Sequence, residues 1–145
     1  MNRILVATDG SEGANRAIDY AALRAKNEGA ELLIANVIGG YGLPDKVLMA
    51  FTDDRNILLN ELLESESAQT LTAARERARK AGAGTIVLES RHGAVAKTII
   101  VIAKEMNADA IIVGKHGASG IAGVLLGSVS QKLAALSPLP LTVVP

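Results

Sequence analysis

The chain has 145 residues, of which 49% are hydrophobic and 21% are charged, a size and composition typical of one folded domain spanning residues 1–145. Fifteen basic residues balance fifteen acidic residues, so the chain lacks the positive field of a typical nucleic-acid-binding protein. The absence of Cys excludes disulfides, thiolate metal sites and thiol catalysis, and two His residues are too few for a His-rich metal site.

The first apolar run of the chain is too short to act as a targeting segment. Residues 4–7 are apolar and are followed at once by the polar Thr8 and Asp9. A signal peptide has a longer apolar core, and a transmembrane helix needs about 20 apolar residues. We therefore expect a cytoplasmic protein that has neither a membrane nor a nucleic acid as its partner.

The first half of the chain alternates apolar runs with helical patterns. Residues 4–8 form a short run that is typical of a strand buried on both faces. Small and apolar residues at helical spacing predict a helix over 11–28, and 32–38 is a second strand-like run. The glycine-rich start of 39–51 predicts a loop, and 53–81 predicts a long helix with a break or a late start.

The second half continues this alternation. Residues 85–89 predict a third strand, 94–106 a helix and 110–113 a fourth strand. A further helix is predicted over 128–136 and a fifth strand over 141–144. Strands separated by helices predict an α/β, Rossmann-like fold, in which helices cover both faces of an open five-stranded parallel sheet of order 3-2-1-4-5.

A sheet of this order predicts where a ligand binds. Open parallel sheets bind ligands at the carboxyl ends of their strands, at the point where the strand order reverses. Here that point lies between the first and fourth strands, so we expect Thr8 and Asp9 on one side and Gly114 on the other. His92 falls just before the helix predicted to begin at residue 94, and we assign it no function.

A glycine-rich stretch follows the fourth strand, and its five glycines are Gly114, Gly117, Gly120, Gly123 and Gly127. Glycine permits positive φ and lets backbone amides approach a ligand closely. The helix that begins near Ser128 adds amides that have no partner within the helix, and such amides attract phosphates. We therefore predict a phosphate-binding loop; the alternative is a surface lid in which Ser128 only caps the helix.

Three sequence features resemble the universal stress protein family. The first strand ends in VATDGS, the glycines follow the spacing Gly-x2-Gly-x9-Gly-Ser, and the chain closes with SPLPLTVVP. The resemblance covers the whole chain, and its glycine motif is that of the ATP-binding subgroup. It implies an adenine-nucleotide-binding fold of the type found in adenine nucleotide alpha hydrolases, a homodimer, and little or no turnover.

The resemblance also implies a set of binding residues. Ala7, Thr8 and Asp9 would line the adenosine side, near the ribose or a metal ion on the phosphates. Val37 would meet adenine through its backbone, although its side chain is expected in the core. The glycine motif would surround the ribose and phosphates with Gly114, Gly117, Gly127, Ser128, Val129 and Ser130. Mg²⁺ or Mn²⁺ would be held by the phosphates, with Asp9 as the one candidate side-chain ligand.

Several alternatives remain open from the sequence. Asp9 is also suited to capping the first helix. The segment 118–126 carries no charge, which leaves fewer cations for a γ-phosphate and makes AMP or ADP candidates beside ATP. Three functions compete: a nucleotide-dependent stress-response regulator, a slow nucleotide-hydrolysing enzyme and a ligand-free interaction module. We favour the first, because no Walker A motif and no SGGxDS loop is present.

The predicted fifth strand, 141–144, also indicates how two copies of the chain associate. It is apolar, carries neither Lys nor Glu, and would lie at an edge of the sheet. The unpaired backbone groups of such an edge recruit a second strand. We therefore predict a homodimer in which the C-terminal strands of two chains lie side by side.

Overall fold

The computed structural model describes residues 2–39, 57–116 and 126–145. Within these ranges five strands alternate with helices. In chain order the elements are β1 (Arg3–Ala7), α1 (Glu12–Glu28), β2 (Glu31–Ile38), α2 (Ile57–Lys80), β3 (Ile86–His92), α3 (Val95–Glu105), β4 (Ala110–Gly114), α4 (Ser128–Leu136) and β5 (Leu141–Val144).

The strands form one parallel sheet in the order β3-β2-β1-β4-β5, which confirms the predicted topology. Alternate side chains of each strand supply two separate cores. Ile4 and Val6 of β1 pack with α1 and α2 on one face, whereas Leu5 packs with α3 and α4 on the other. Each fully buried side chain of this size contributes about 1.5–3 kcal/mol, so burial on both faces holds β1 and its neighbours at the centre of the sheet.

Helix α1 shows how local sequence directs this packing. Ser11 is its N-cap, and Ser11 Oγ accepts a hydrogen bond from Ala14 N–H at 3.2 Å. The buried face consists largely of small residues, which bring the helix close to the sheet: Gly13, Ala14, Ala17, Ile18, Ala21, Ala22 and Ala25. Gly29 ends the helix in the left-handed conformation, with φ 64°.

Strand β3 differs from its prediction. It continues to His92, so the prediction that the strand ends at residue 89 is wrong, and His92 is the last residue of the strand rather than part of a helix start. The residues Glu89–His92 are polar and do not resemble a buried strand, but β2 extends far enough to pair with all of them, up to Ile38↔His92. An edge strand can carry polar side chains and still form its ladder, because one side of it faces solvent.

The long helix α2 covers 57–80, and the residues 53–56 with which its prediction began lie outside the described ranges, as does 40–51 of the predicted loop. Of the described helices, none combines the length and the apolar character that are needed to cross a membrane.

Candidate functional site

The side chains of Thr8 and Asp9 stabilise the turn that follows the carboxyl end of β1. Thr8 is 6% exposed, and its Oγ1 accepts a hydrogen bond from Gly10 N–H at 3.1 Å. Asp9 Oδ1 accepts from Ser11 N–H at 2.9 Å. The interpretation of Asp9 as the helix cap is therefore wrong, because Ser11 holds that position and Asp9 shapes the turn before it. Ala7 ends the strand and is half-buried against the core that α3 and α4 cover.

The carboxyl end of β4 contacts the start of α1 through backbone alone. A Cβ added at Gly114 would lie 2.7 Å from the carbonyl carbon and oxygen of Gly13, and one added at Gly13 would lie 2.4 Å from the oxygen of His116. Both positions therefore require glycine for close packing. Gly114 shows no positive φ, so packing, rather than an unusual conformation, explains its presence.

Gly13 is a residue of the site that the sequence interpretation missed. A signal was available, because a glycine in the first turn of a helix costs about 1 kcal/mol relative to alanine and usually has a packing reason. The reason is tertiary, since the partner of Gly13 lies a hundred residues away along the chain.

Helix α4 begins beside the end of β4, without a side-chain cap. Its N-cap is Gly127, in an extended conformation with φ −68° and ψ 166°, and Ser128 is the first helical residue. The alternative in which Ser128 caps the helix is therefore wrong. Gly127 does not adopt the positive φ that glycine permits. The first-turn amides of Ser128, Val129 and Ser130 have no partner within the helix, and the first turn carries no acidic side chain.

Ser130 has a structural role that the sequence did not reveal. It is 3% exposed, and its hydroxyl donates to the carbonyl oxygens of Gly114 at 2.9 Å and Lys115 at 3.2 Å. Gly127 N–H also donates to Lys115 C=O, at 2.8 Å. These bonds fix the start of α4 against the end of β4, so only the backbone amide of Ser130 remains for a ligand.

Val37 lies on β2, next to the β1 side of the crevice. Its side chain is half-buried and packs in the core beneath α3 and α4, as expected. The register between β1 and β2 ends at Ala7↔Ala35, so Val37 lies beyond the last pair. Its backbone therefore lies at the rim of the crevice.

The remaining site residues can be placed only in part. Lys115 and His116 are half-buried at the end of β4. Gly117 and residues 118–125 lie outside the described ranges. In the part of the chain that the structure describes, no three His, Asp or Glu side chains converge into a group that could hold a metal ion.

Two cavities lie on the other side of the sheet from α4. One, of about 440 Å³, lies between α2 and β3 and includes Ser90 and His92 in its lining. The other, of about 370 Å³, lies between α1 and α2 and reaches Thr8 and Gly10 at the base of the crevice. Neither involves the start of α4, where the first-turn amides have no partner within the helix, so we place the candidate site at the crevice.

The sequence profile of the universal stress protein family matches residues 1–145. The chain belongs to the universal stress protein family. Universal stress protein YxiE of Bacillus subtilis is 32% identical over 146 residues, which cover 99% of this chain and 98% of that protein.

Solved structures of this family agree with the fold. The crystal structure of a universal stress protein in complex with cAMP is 31% identical, with a TM-score of 0.69, and the match covers 99% of this chain and 95% of that one. The universal stress protein from Archaeoglobus fulgidus in complex with dAMP is 25% identical, with a TM-score of 0.68 and coverage of 100% and 98%. These two family members with this fold therefore bind adenine nucleotides.

Proposed function

We propose that this protein binds an adenine nucleotide in the crevice between β1 and β4. The observation that carries the proposal is the start of α4, where three first-turn amides have neither a side-chain cap nor an acidic neighbour. This start is fixed against the end of β4, at the switch point of the sheet, by the Ser130 hydroxyl. The relatives in complex with cAMP and dAMP support adenine as the base.

The geometry favours a definite orientation of the nucleotide. The amides of Ser128, Val129 and Ser130 would donate to phosphate oxygens, with Gly127 allowing close approach. Gly114 and Gly117 would flank the ribose, and Ala7, Thr8 and Asp9 would line the opposite wall, with the base at the Val37 backbone. ATP is the proposed ligand and AMP or ADP the alternatives, with Mg²⁺ or Mn²⁺ held through the phosphates and Asp9 as a candidate ligand.

We propose that the bound nucleotide acts as a regulatory signal in a stress response rather than as a substrate. Among the site residues that the sequence predicts, Asp9 is the one carboxylate, and its Oδ1 accepts from Ser11 N–H. Binding a ground state without a positioned base or an arginine finger accelerates hydrolysis little. Regulation requires only that occupancy changes the surface offered to partners.

The first test is calorimetric titration of ATP and AMP, with magnesium, into the wild type and Gly127→Val. Valine adopts the extended conformation of Gly127 readily, so the variant should fold. Its branched side chain should block phosphate approach and abolish measurable binding. Gly84→Val is the matched control, because no atom lies within 4 Å of a Cβ added at that remote glycine. Wild-type affinity in folded Gly127→Val would refute the site.

Turnover separates a regulator from an enzyme. Phosphate release from ATP should stay far below about 1 per second, the lower end of typical enzymatic rates. Sustained release at that rate would show that the protein is an enzyme. Analysis of nucleotide released from the heat-denatured protein would identify the physiological ligand, and its complete absence from a protein that also binds none in titration would favour the interaction module.

We also propose a homodimer through β5. This strand lies at an edge of the sheet, and all four of its residues are half-buried. The opposite edge strand, β3, carries the charged residues Glu89 and Arg91, which disfavour pairing with another chain, whereas β5 carries no charge. Light scattering should give twice the chain mass for the wild type and one chain mass for Thr142→Lys.

Two further proteins sharpen this test of assembly. Val101→Lys places the same charge on the exposed face of α3 and should stay dimeric. A chain truncated after Ser137 should be monomeric if it folds. A monomeric wild type at tens of micromolar would contradict the dimer, and a dimeric truncated chain would place the interface elsewhere.

A further inference from the structure

The backbone ladder between β1 and β2 ends at Thr8, although β2 continues to Ile38. Thr8 N–H donates to Ala35 C=O at 2.9 Å, which is the last backbone bond between these strands in the described residues. In a parallel ladder the next bond would run from Val37 N–H to Thr8 C=O. Instead, that carbonyl accepts from Nδ2 of Asn36 at 2.7 Å.

The Asn36 amide is held in one orientation from behind. Its Oδ1 accepts from Ser67 Oγ of α2 at 2.6 Å, and Ser67 Oγ lies 2.8 Å from Ser90 Oγ of β3. Ser67 is 3% exposed, so its hydroxyl would be costly to leave without a partner. Because the Thr8 carbonyl oxygen can only accept, the NH₂ end of the amide faces Thr8, and Oδ1 faces the Ser67 hydroxyl, which donates to it.

We propose that Asn36 is a positioning residue for the nucleotide base: it ends the β1–β2 ladder and so keeps the N–H and C=O of Val37 open at the crevice. The inference rests on the proposed nucleotide function and adds how the base is selected. Adenine carries a ring-nitrogen acceptor beside an amino donor, which matches one backbone N–H and one C=O. On the edge that carries N7, adenine presents the N7 acceptor and the N6 amino donor, whereas guanine presents acceptors at both N7 and O6. Guanine would therefore leave the Val37 carbonyl without a donor.

Asn36→Leu tests the ladder directly, because leucine has a similar shape and makes neither amide hydrogen bond. The Thr8 carbonyl then accepts from Val37 N–H, and the ladder gains one step. In the nucleotide-free variant the Val37 amide should exchange with D₂O about tenfold more slowly than in the nucleotide-free wild type, as measured by NMR. Equal or faster exchange would overturn the proposal.

Calorimetry with AMP, GMP and ribose 5-phosphate tests the effect on the base. In Asn36→Leu, AMP affinity should fall about tenfold, the equivalent of one hydrogen bond of about 1.4 kcal/mol. Ribose 5-phosphate lacks the base, so its affinity should be unchanged, and the preference for AMP over GMP should shrink. Equal losses for AMP and ribose 5-phosphate would reveal general damage and overturn the proposal, as would unchanged AMP affinity.

Two serine variants complete the design. Ser90→Ala removes the outer hydroxyl and leaves both Asn36 hydrogen bonds, so it should bind AMP as the wild type does. Ser67→Ala removes the hydroxyl that holds the Asn36 amide, so it should weaken the binding of AMP and leave that of ribose 5-phosphate unchanged. This variant replaces Asn36→Leu if the latter does not fold. Equal AMP affinity in Ser67→Ala and the wild type would then overturn the proposal. A wild type that binds neither AMP nor ribose 5-phosphate would refute the nucleotide function, and the Val37 exchange rate would still decide whether Asn36 ends the ladder.

Discussion

The two helices that begin beside the crevice start in opposite ways. At α1, Ser11 Oγ caps Ala14 N–H and Glu12 adds a negative charge to the first turn. At α4, the cap is Gly127, with no side-chain hydrogen bond and no acidic residue in the first turn. The partial positive charge at a helix start is stabilised by an anion. The chain supplies that anion at α1 and leaves the place open at α4. Helix α3 also begins without a side-chain cap or an acidic first turn, after Ala94, so what sets α4 apart is its start at the switch point of the sheet, beside the end of β4.

The largest effect should come from making α4 resemble α1. Ser128→Glu places a carboxylate among the open amides, where it competes for them and repels phosphate. We expect the affinity for ATP or AMP to fall about 100-fold, equivalent to about 2.7 kcal/mol. The free energy of unfolding of the nucleotide-free protein should stay the same or rise slightly. Glu12→Gln, the reverse change at α1, is the control and should bind as the wild type does; equal losses in both would mean that the two starts are not distinct.

The next largest effect concerns the contact that holds the two starts together. Gly114→Ala places a Cβ 2.7 Å from the Gly13 backbone, which cannot move without shifting α1. Urea unfolding should show a loss of about 1–3 kcal/mol. Gly84→Ala is the control, because its Cβ would meet open space. Unchanged stability in Gly114→Ala would mean that this glycine serves the ligand alone.

A smaller effect is expected at the capped helix. Ser11→Ala removes the hydrogen bond to Ala14 N–H and should lower the free energy of unfolding by about 1 kcal/mol. Nucleotide affinity, measured by calorimetry, should not change, because α1 is satisfied by its own side chains. A loss of affinity as large as that of Ser128→Glu would show that both starts contact the ligand.

The smallest effect lies at the opposite end of the sheet. Hydrogen bonds from the backbone N–H groups of Arg3 and then Asn2 lower the pKa of Asp109 from its ordinary value of 3.8. A lowered pKa means that the carboxylate stabilises the fold above the unfolded-state pKa and loses this contribution as the pH falls through the folded-state pKa. The wild type should therefore have a higher free energy of unfolding than Asp109→Asn at neutral pH, and the two values should converge in strong acid. Nucleotide affinity should be the same in both proteins. A difference that grows in acid would contradict this assignment.

The periodicity of the sequence was sufficient for the topology and insufficient for details set by neighbouring strands. Apolar runs at 4–8 and 110–113 predicted the central strands, because strands buried on both faces must be apolar almost throughout. The last residues of β3 were missed, since their pairing depends on the length of β2 and leaves no apolar pattern of their own. The glycine spacing placed the candidate site at the ends of β1 and β4, which are neighbours in the sheet, whereas Gly13 was overlooked.

The sequence by itself determined the order of elements, the family and the crevice at which a ligand is expected, because these follow from local periodicity and from motifs of closely spaced residues. Only the tertiary structure decided what individual groups do there. It assigned the cap of α1 to Ser11, turned the Ser130 hydroxyl to the end of β4, and brought Asn36 to the Thr8 carbonyl. The physical reason is that each hydrogen bond of a buried polar group depends on which distant segment lies within about 3 Å of it, and neither spacing nor composition carries that distance.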